Sequence, residues 1–189
     1  MQIILVTEIW SRTAYVDLMA EAFDRASHAV TVIDPYDGRD RKFGNEQEAY
    51  AAFITQCGHD EYARRVCHAV SEAQEPVYLI GFSAGAGAVW KAVCHEQAHT
   101  ILGALCFYGS SIRTMLDAVP TVPVELIFPD HESHFDVQCV VQSLQGKPMT
   151  KCHVVPYGHG FMNPLSENYD GEGYERWFHW ILDRIKSSI

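Results

Sequence analysis

A chain of 189 residues is long enough to bury a sizeable core, and 48% hydrophobic with 20% charged residues describes a folded globule, not a disordered or membrane-spanning chain. A formal net charge of −10 argues against nucleic acid or an anionic membrane as partner, because neither surface attracts an acidic protein. No apolar run approaches the ~18 residues of a membrane span. The start, MQIILVTEIW, reads as a strand at once and lacks a basic leader, and six cysteines with no C-x-x-C pair suit reduced thiols, so a cytoplasmic location is expected.

Apolar runs of strand length alternate with amphipathic stretches from end to end. In chain order, the pattern predicts a strand over 2–7, a helix over 12–25, a strand over 29–33 and helices over 46–57 and 60–73. Then come a strand over 76–81, a helix over 84–95, strands over 101–107 and 122–128, a helix over 134–145, a strand over 151–155 and a helix over 171–187. In the last of these Tyr174, Trp177, Phe178, Ile181 and Ile185 fall on one helical face, a stripe that reads as core packing. Six short apolar strands separated by helices imply an α/β chain: a six-stranded parallel, doubly wound sheet with helices on both faces. No repeat or linker divides it, so residues 1–189 are expected to form one domain. In such sheets ligands sit beyond the carboxyl ends of the strands.

The third strand runs into Gly81-Phe82-Ser83-Ala84-Gly85, a G-x-S-x-G turn between strand and helix. Chance alone places this pattern in about 5% of chains this long, so its surroundings must decide. Asp130-His131 follows the fifth strand, and Gly158-His159-Gly160-Phe161 follows the sixth. Serine, aspartate and histidine thus stand at three strand ends in the order used by α/β-hydrolases. The chemistry needs each type. A serine hydroxyl becomes nucleophilic when a neutral imidazole takes its proton, and a carboxylate fixes the imidazole tautomer and stabilises its charged form. The tetrahedral oxyanion needs two backbone N–H donors, here those of Ile9 and Ala84.

Each residue has a plainer reading beside this one. A serine opening a helix is commonly an N-cap, and an aspartate after a strand is commonly turn chemistry. Asp117 and Asp136 compete with Asp130, although neither directly follows a strand. His153 lies inside a strand. His131-x-x-His134 has metal-like spacing but no third ligand, so no metal and no cofactor are expected. Three requirements met at three separate strand ends favour the triad Ser83, His159 and Asp130.

With these residues in view, the chain resembles the dienelactone hydrolases, within the α/β-hydrolases. The resemblance rests on Val6-Thr7-Glu8-Ile9-Trp10, Gly81-Phe82-Ser83-Ala84-Gly85, Phe107-Tyr108-Gly109, Asp130-His131 and Gly158-His159-Gly160-Phe161, in matching order over nearly the whole chain. It implies a minimal α/β-hydrolase fold, the triad above, oxyanion donors at Ile9 and Ala84, and in Glu8 a glutamate that contacts the nucleophile. Two features depart from the family pattern. Ser83 stands where dienelactone hydrolases proper carry cysteine, and Asn163 and Glu46 stand where arginines would hold an anionic substrate. Arg39, Arg41 and Lys42 are nearby cations that read either as a partial replacement or as solvated loop charges.

Only residues 109–121 separate the fourth and fifth strands, too few for a cap domain, so an open site is expected, ringed by Trp10, Tyr36, Phe82, Tyr108 and Phe161. An open site suits small or medium esters and lactones. The rival readings are another acyl hydrolase, such as a thioesterase or peptidase, and a catalytically silent hydrolase fold acting as a binding protein. A nucleotide-binding module fits less well, because Trp90 breaks the dinucleotide glycine pattern and no G-K-[ST] is present.

Overall fold

The structure, a computed structural model, describes residues 1–39, 41–95 and 100–187. Its strands are β1 (Gln2–Val6), β2 (Ala29–Ile33), β3 (Val77–Phe82), β4 (Ile101–Phe107), β5 (Val124–Pro129) and β6 (Thr150–Val155). Its helices are α1 (Ala14–Arg25), α2 (Glu46–Gln56), α3 (Gly58–Glu72), α4 (Ala84–Val93), α5 (Val137–Gln145) and α6 (Gly171–Ser187). All six strands pair in parallel, in the order β2-β1-β3-β4-β5-β6. The order reverses at β1, where the chain turns from winding one way to winding the other. Parallel pairing needs a crossover between partners, and α-helices supply it everywhere but between β4 and β5, where a loop does.

Alternation along each strand sorts the side chains into two cores. Ile4, Val6, Val77 and Leu79 face a layer built from α2, α3, α4 and α5. Ile3, Leu5, Tyr78, Ile80 and Phe82 face a layer built from α1 and α6. The expected stripe of α6 lies in this second layer, with Ile181 and Ile185 buried and Tyr174, Trp177 and Phe178 packed against them. Burying each such side chain contributes ~1.5–3 kcal/mol. Central α4 reads AGAGAVWKAV and is buried at nine of its ten positions, all but Lys91. Its small residues let the helix lie close on the sheet, and Trp90 fills the space at its far end, fully buried.

One helix start differs from the sequence pattern in a way that bears on the site. Helix α5 begins at Val137 rather than 134, because the Asp136 carboxylate accepts from the Gln138 and Cys139 amides at 2.8 and 3.3 Å and caps the helix there. The competing acid Asp136 is therefore spent on a helix N-terminus. Between β4 and β5 the chain holds a short 3-10 helix, Ser110–Thr114, and no cap domain. Among the described residues, no helix is long and apolar enough to cross a membrane.

Candidate active site

The turn from β3 to α4 forces an unusual backbone on Ser83, with φ 50° and ψ −114°. An L-residue tolerates this region poorly, at a cost of about 1–3 kcal/mol that the surrounding fold must offset. The glycines on either side are required by close approach. A Cβ on Gly81 would meet the Gly85 carbonyl oxygen at 2.6 Å, and one on Gly85 would run into the Val6 and Thr7 carbonyls at the end of β1. The elbow is held by the Ser83 amide donating to the Phe107 carbonyl at 2.9 Å. Although Ser83 occupies the N-cap position of α4, its hydroxyl makes no capping bond. It lies instead 2.9 Å from His159 Nε2.

His159 sits on the loop after β6. Its carbonyl accepts from Ser166 Oγ at 3.2 Å and Asn168 Nδ2 at 3.1 Å, and Gly160 beside it turns with φ +80°. The ring rests against Tyr108, with centroids 5.1 Å apart. On its far side, Nδ1 lies 2.7 Å from Glu132 Oε1. The residue expected there was Asp130. The structure corrects this: Asp130 is exposed at the end of β5, and the chain then folds back on itself through a bridge between Glu132 and Phe135. That fold-back carries Glu132, two residues further on, under the imidazole, where its side chain is only 6% exposed. Burial alone would lower the pKa of His159, but the Glu132 hydrogen bond and charge, joined by the Glu8 charge, outweigh it and raise the pKa above the ordinary 6.5.

Of the expected oxyanion donors, Ile9 and Ala84, the second directly follows Ser83. Ala84 is the first residue of α4, so its N–H has no carbonyl four residues back within the helix. Ile9 is placed from behind, since its carbonyl accepts from the Tyr36 hydroxyl at 2.9 Å. The end of β1 is fixed similarly, by Tyr62 donating to the Thr7 carbonyl at 2.8 Å.

The resemblance sets Glu8 against the nucleophile; the hydrogen bonds of its carboxylate run to Tyr108, Asn163 and Tyr15. Its carboxylate is buried and accepts from Tyr108 Oη at 2.6 Å and Asn163 Nδ2 at 2.7 Å, with Tyr15 Oη at 3.5 Å. Burial pushes its pKa up, and the bonds from Tyr108 and Asn163 and the nearby His159 oppose the rise. Asn163, fully buried, is thereby occupied in holding Glu8 and offers nothing to a substrate. Glu46 lies exposed at the start of α2.

The expected aromatic ring around the site is also corrected. Tyr36, Phe82, Tyr108 and Phe161 are buried, each at most 3% exposed, because their rings complete the core beneath the strand ends. Trp10 alone of the five lines open space. It borders a groove of about 570 Å³ shared with Arg41, Lys42, Phe43 and Leu165. Arg41 lies over the Tyr36 and Phe43 rings, 5.4 and 5.7 Å from their centroids. His131 and His134 are exposed, and no group of three metal-ligating side chains occurs among the described residues.

Two residues of the site, Glu132 and Ser110, escaped the sequence reading altogether. Ser110 Oγ lies 3.0 Å from Glu132 Oε1 and 3.2 Å from His159 Nδ1. Its place straight after Phe107-Tyr108-Gly109, at a strand end, was the signal that could have found it.

The six-stranded parallel sheet and its flanking helices form an α/β-hydrolase fold, and solved structures share it. A dienelactone hydrolase-like promiscuous phosphotriesterase from metagenomic libraries superposes with a TM-score of 0.72 at 12% identity, covering 98% of this chain and 85% of that one. The mouse alpha/beta hydrolase domain-containing protein 10 gives 0.71 at 12% identity, over 98% and 90% of the two chains. A dienelactone hydrolase from Anabaena variabilis gives 0.61 at 16% identity, over 96% and 86%. At these identities the likeness is one of fold. In sequence, the chain is 39% identical over 92 residues to the uncharacterized protein YczH of Bacillus subtilis, a stretch covering 48% of this chain and 44% of that protein. The match thus spans less than half the length of that relative. No protein-family profile matches the chain.

Proposed function

We propose that this chain is a serine hydrolase of small or medium esters or lactones, acting through Ser83, His159 and Glu132. The observation that carries the reading is the unbroken chain of polar contacts from Ser83 Oγ to His159 Nε2 at 2.9 Å and from His159 Nδ1 to Glu132 at 2.7 Å, on a strained strand-to-helix elbow. Neutral His159 takes the proton of Ser83 as Oγ attacks the ester carbonyl carbon. The resulting oxyanion accepts from the N–H groups of Ala84 and Ile9, and the imidazolium is stabilised by Glu132. Collapse breaks the bond to the leaving alcohol, which receives the proton from His159 Nε2. Water, deprotonated by the same nitrogen, then attacks the acyl-enzyme, releases the acid and restores the Ser83 hydroxyl. The groove beside Trp10 has the size of a small-molecule site and would take the body of the substrate.

A fluorophosphonate probe tests this directly, because only an activated serine reacts. Labelling should fall on Ser83 and vanish in Ser83→Ala, whose kcat on an aryl ester should drop by on the order of 10⁴–10⁶. An unlabelled Ser83 in folded protein would favour the silent binding protein instead.

A further inference from the structure

The acid of this site does not come from a strand end. It comes from a folded-back loop, and something must hold that loop against the imidazole. The 3-10 helix after β4 meets it at two points. Ser110 Oγ reaches Glu132 Oε1 at 3.0 Å. Arg113 donates to the Ser110 carbonyl at 2.6 Å, and its guanidinium lies 5.2 Å from the ring centroid of Phe135, the residue bridged to Glu132.

We propose that Ser110 is a positioning residue that fixes the carboxylate of Glu132 and, with it, the tautomer of His159. This inference rests on the Ser83-His159-Glu132 reading. A hydroxyl has one proton to donate, and a carboxylate can only accept. The Ser110 proton therefore goes to Glu132, and a lone pair of its oxygen is left facing His159 Nδ1, 3.2 Å away. Two acceptors then converge on Nδ1: the carboxylate oxygen and the hydroxyl oxygen. Nδ1 carries the ring proton, and Nε2 presents its lone pair to Ser83. The opposite tautomer would set a bare Nδ1 against two oxygen lone pairs and point an N–H at the nucleophile. Ser110 thus acts through Glu132 and the His159 nitrogen that faces away from Ser83.

The test pairs Ser110→Ala with Ser110→Thr, which keeps a hydroxyl, and reads both steady-state kinetics on an aryl acetate and the ¹⁵N shifts of the His159 ring. Ser110→Ala should lose about tenfold in kcat with KM little changed, and its ring nitrogens should move toward a tautomer mixture. Ser110→Thr should recover most of both. Wild-type ring shifts with full kcat in Ser110→Ala would overturn the proposal. So would a Ser110→Thr protein that is folded yet shows the alanine variant's shifts, because the hydroxyl would then not be what matters. The ring shifts need no turnover. A wild type that hydrolyses no ester but shows the Nδ1–H tautomer, lost in Ser110→Ala, upholds the role of Ser110 while sinking the hydrolase reading.

Discussion

Replacing Glu132 by glutamine removes one charge and almost no volume, and it separates the proposed acid from the one expected at the strand end. The wild-type carboxylate accepts from Nδ1 at 2.7 Å in a pocket where its side chain is 6% exposed. A charge-assisted hydrogen bond of this kind is worth about 1.5–3 kcal/mol, which alone is roughly a ten- to hundredfold effect on rate. The amide does further harm. Its NH₂ can donate to a bare Nδ1 and so favour the tautomer whose N–H points at Ser83, leaving no base. Together these should lower kcat by on the order of 10⁴, as in triads that lose their acid. The assay is burst and steady-state kinetics on an aryl ester, with far-ultraviolet circular dichroism to show an intact fold. Asp130→Asn, at an exposed position, should stay within about threefold of wild type. If Glu132→Gln kept a tenth of the activity, or Asp130→Asn lost more, the assignment of the acid would be wrong.

The remaining expectations follow from the same geometry. His159 should titrate above 6.5, so the acidic limb of kcat/KM should lie above that value, since only the neutral ring accepts a proton; a limb below 6.5 would contradict the dominance of Glu132 over burial. In stability the sign is opposite: the raised pKa stabilises the fold fully below the unfolded-state value and the contribution is lost as pH rises through the folded value, which a pH series of Tm in wild type and Glu132→Gln will show. Asn163→Ala leaves a buried carboxylate oxygen of Glu8 without its partner and should cost about 2 kcal/mol, a fall in Tm of roughly 4–8 °C; an unchanged Tm would mean that the Glu8 network contributes nothing. Because Asn163 is committed to Glu8, a neutral methyl ester should be hydrolysed at least as well as the carboxylated lactone it derives from. A strong preference for the anion that disappears in Arg41→Ala would instead place a carboxylate clamp in the groove.

The sheet and helices were legible because most strands are largely apolar runs and all crossovers but that between β4 and β5 carry an α-helical segment, signals that reside in neighbouring residues. Ser83 and His159 were legible for a similar reason: the glycines that a tight turn requires mark both from nearby. The acid was not. Asp130 satisfies the local rule of a carboxylate after a strand, and nothing in Pro129-Asp130-His131-Glu132 announces that the chain will double back. Which carboxylate reaches the ring depends on the Glu132–Phe135 bridge and on a 3-10 helix twenty residues earlier, both tertiary facts. Glu8 was ambiguous likewise, since its partners Tyr108 and Asn163 lie 100 and 155 residues away along the chain. The aromatic residues were misplaced because strand-end position does not say whether a ring points to solvent or under the sheet.

The partnership of Glu8 and Asn163 joins the first loop of the chain to nearly the last, and it bears on how the molecule assembles. Until the segment around residues 158–163 docks, a carboxylate just past the end of β1 waits without its amide partner, and Ser83 waits without His159. One docking event satisfies both. Partly folded forms should therefore be inactive as a rule, not merely less active. Any modification or partner that pries this segment loose would switch off chemistry and loosen the sheet end in a single step, so that resistance to proteolysis there and turnover should rise and fall together.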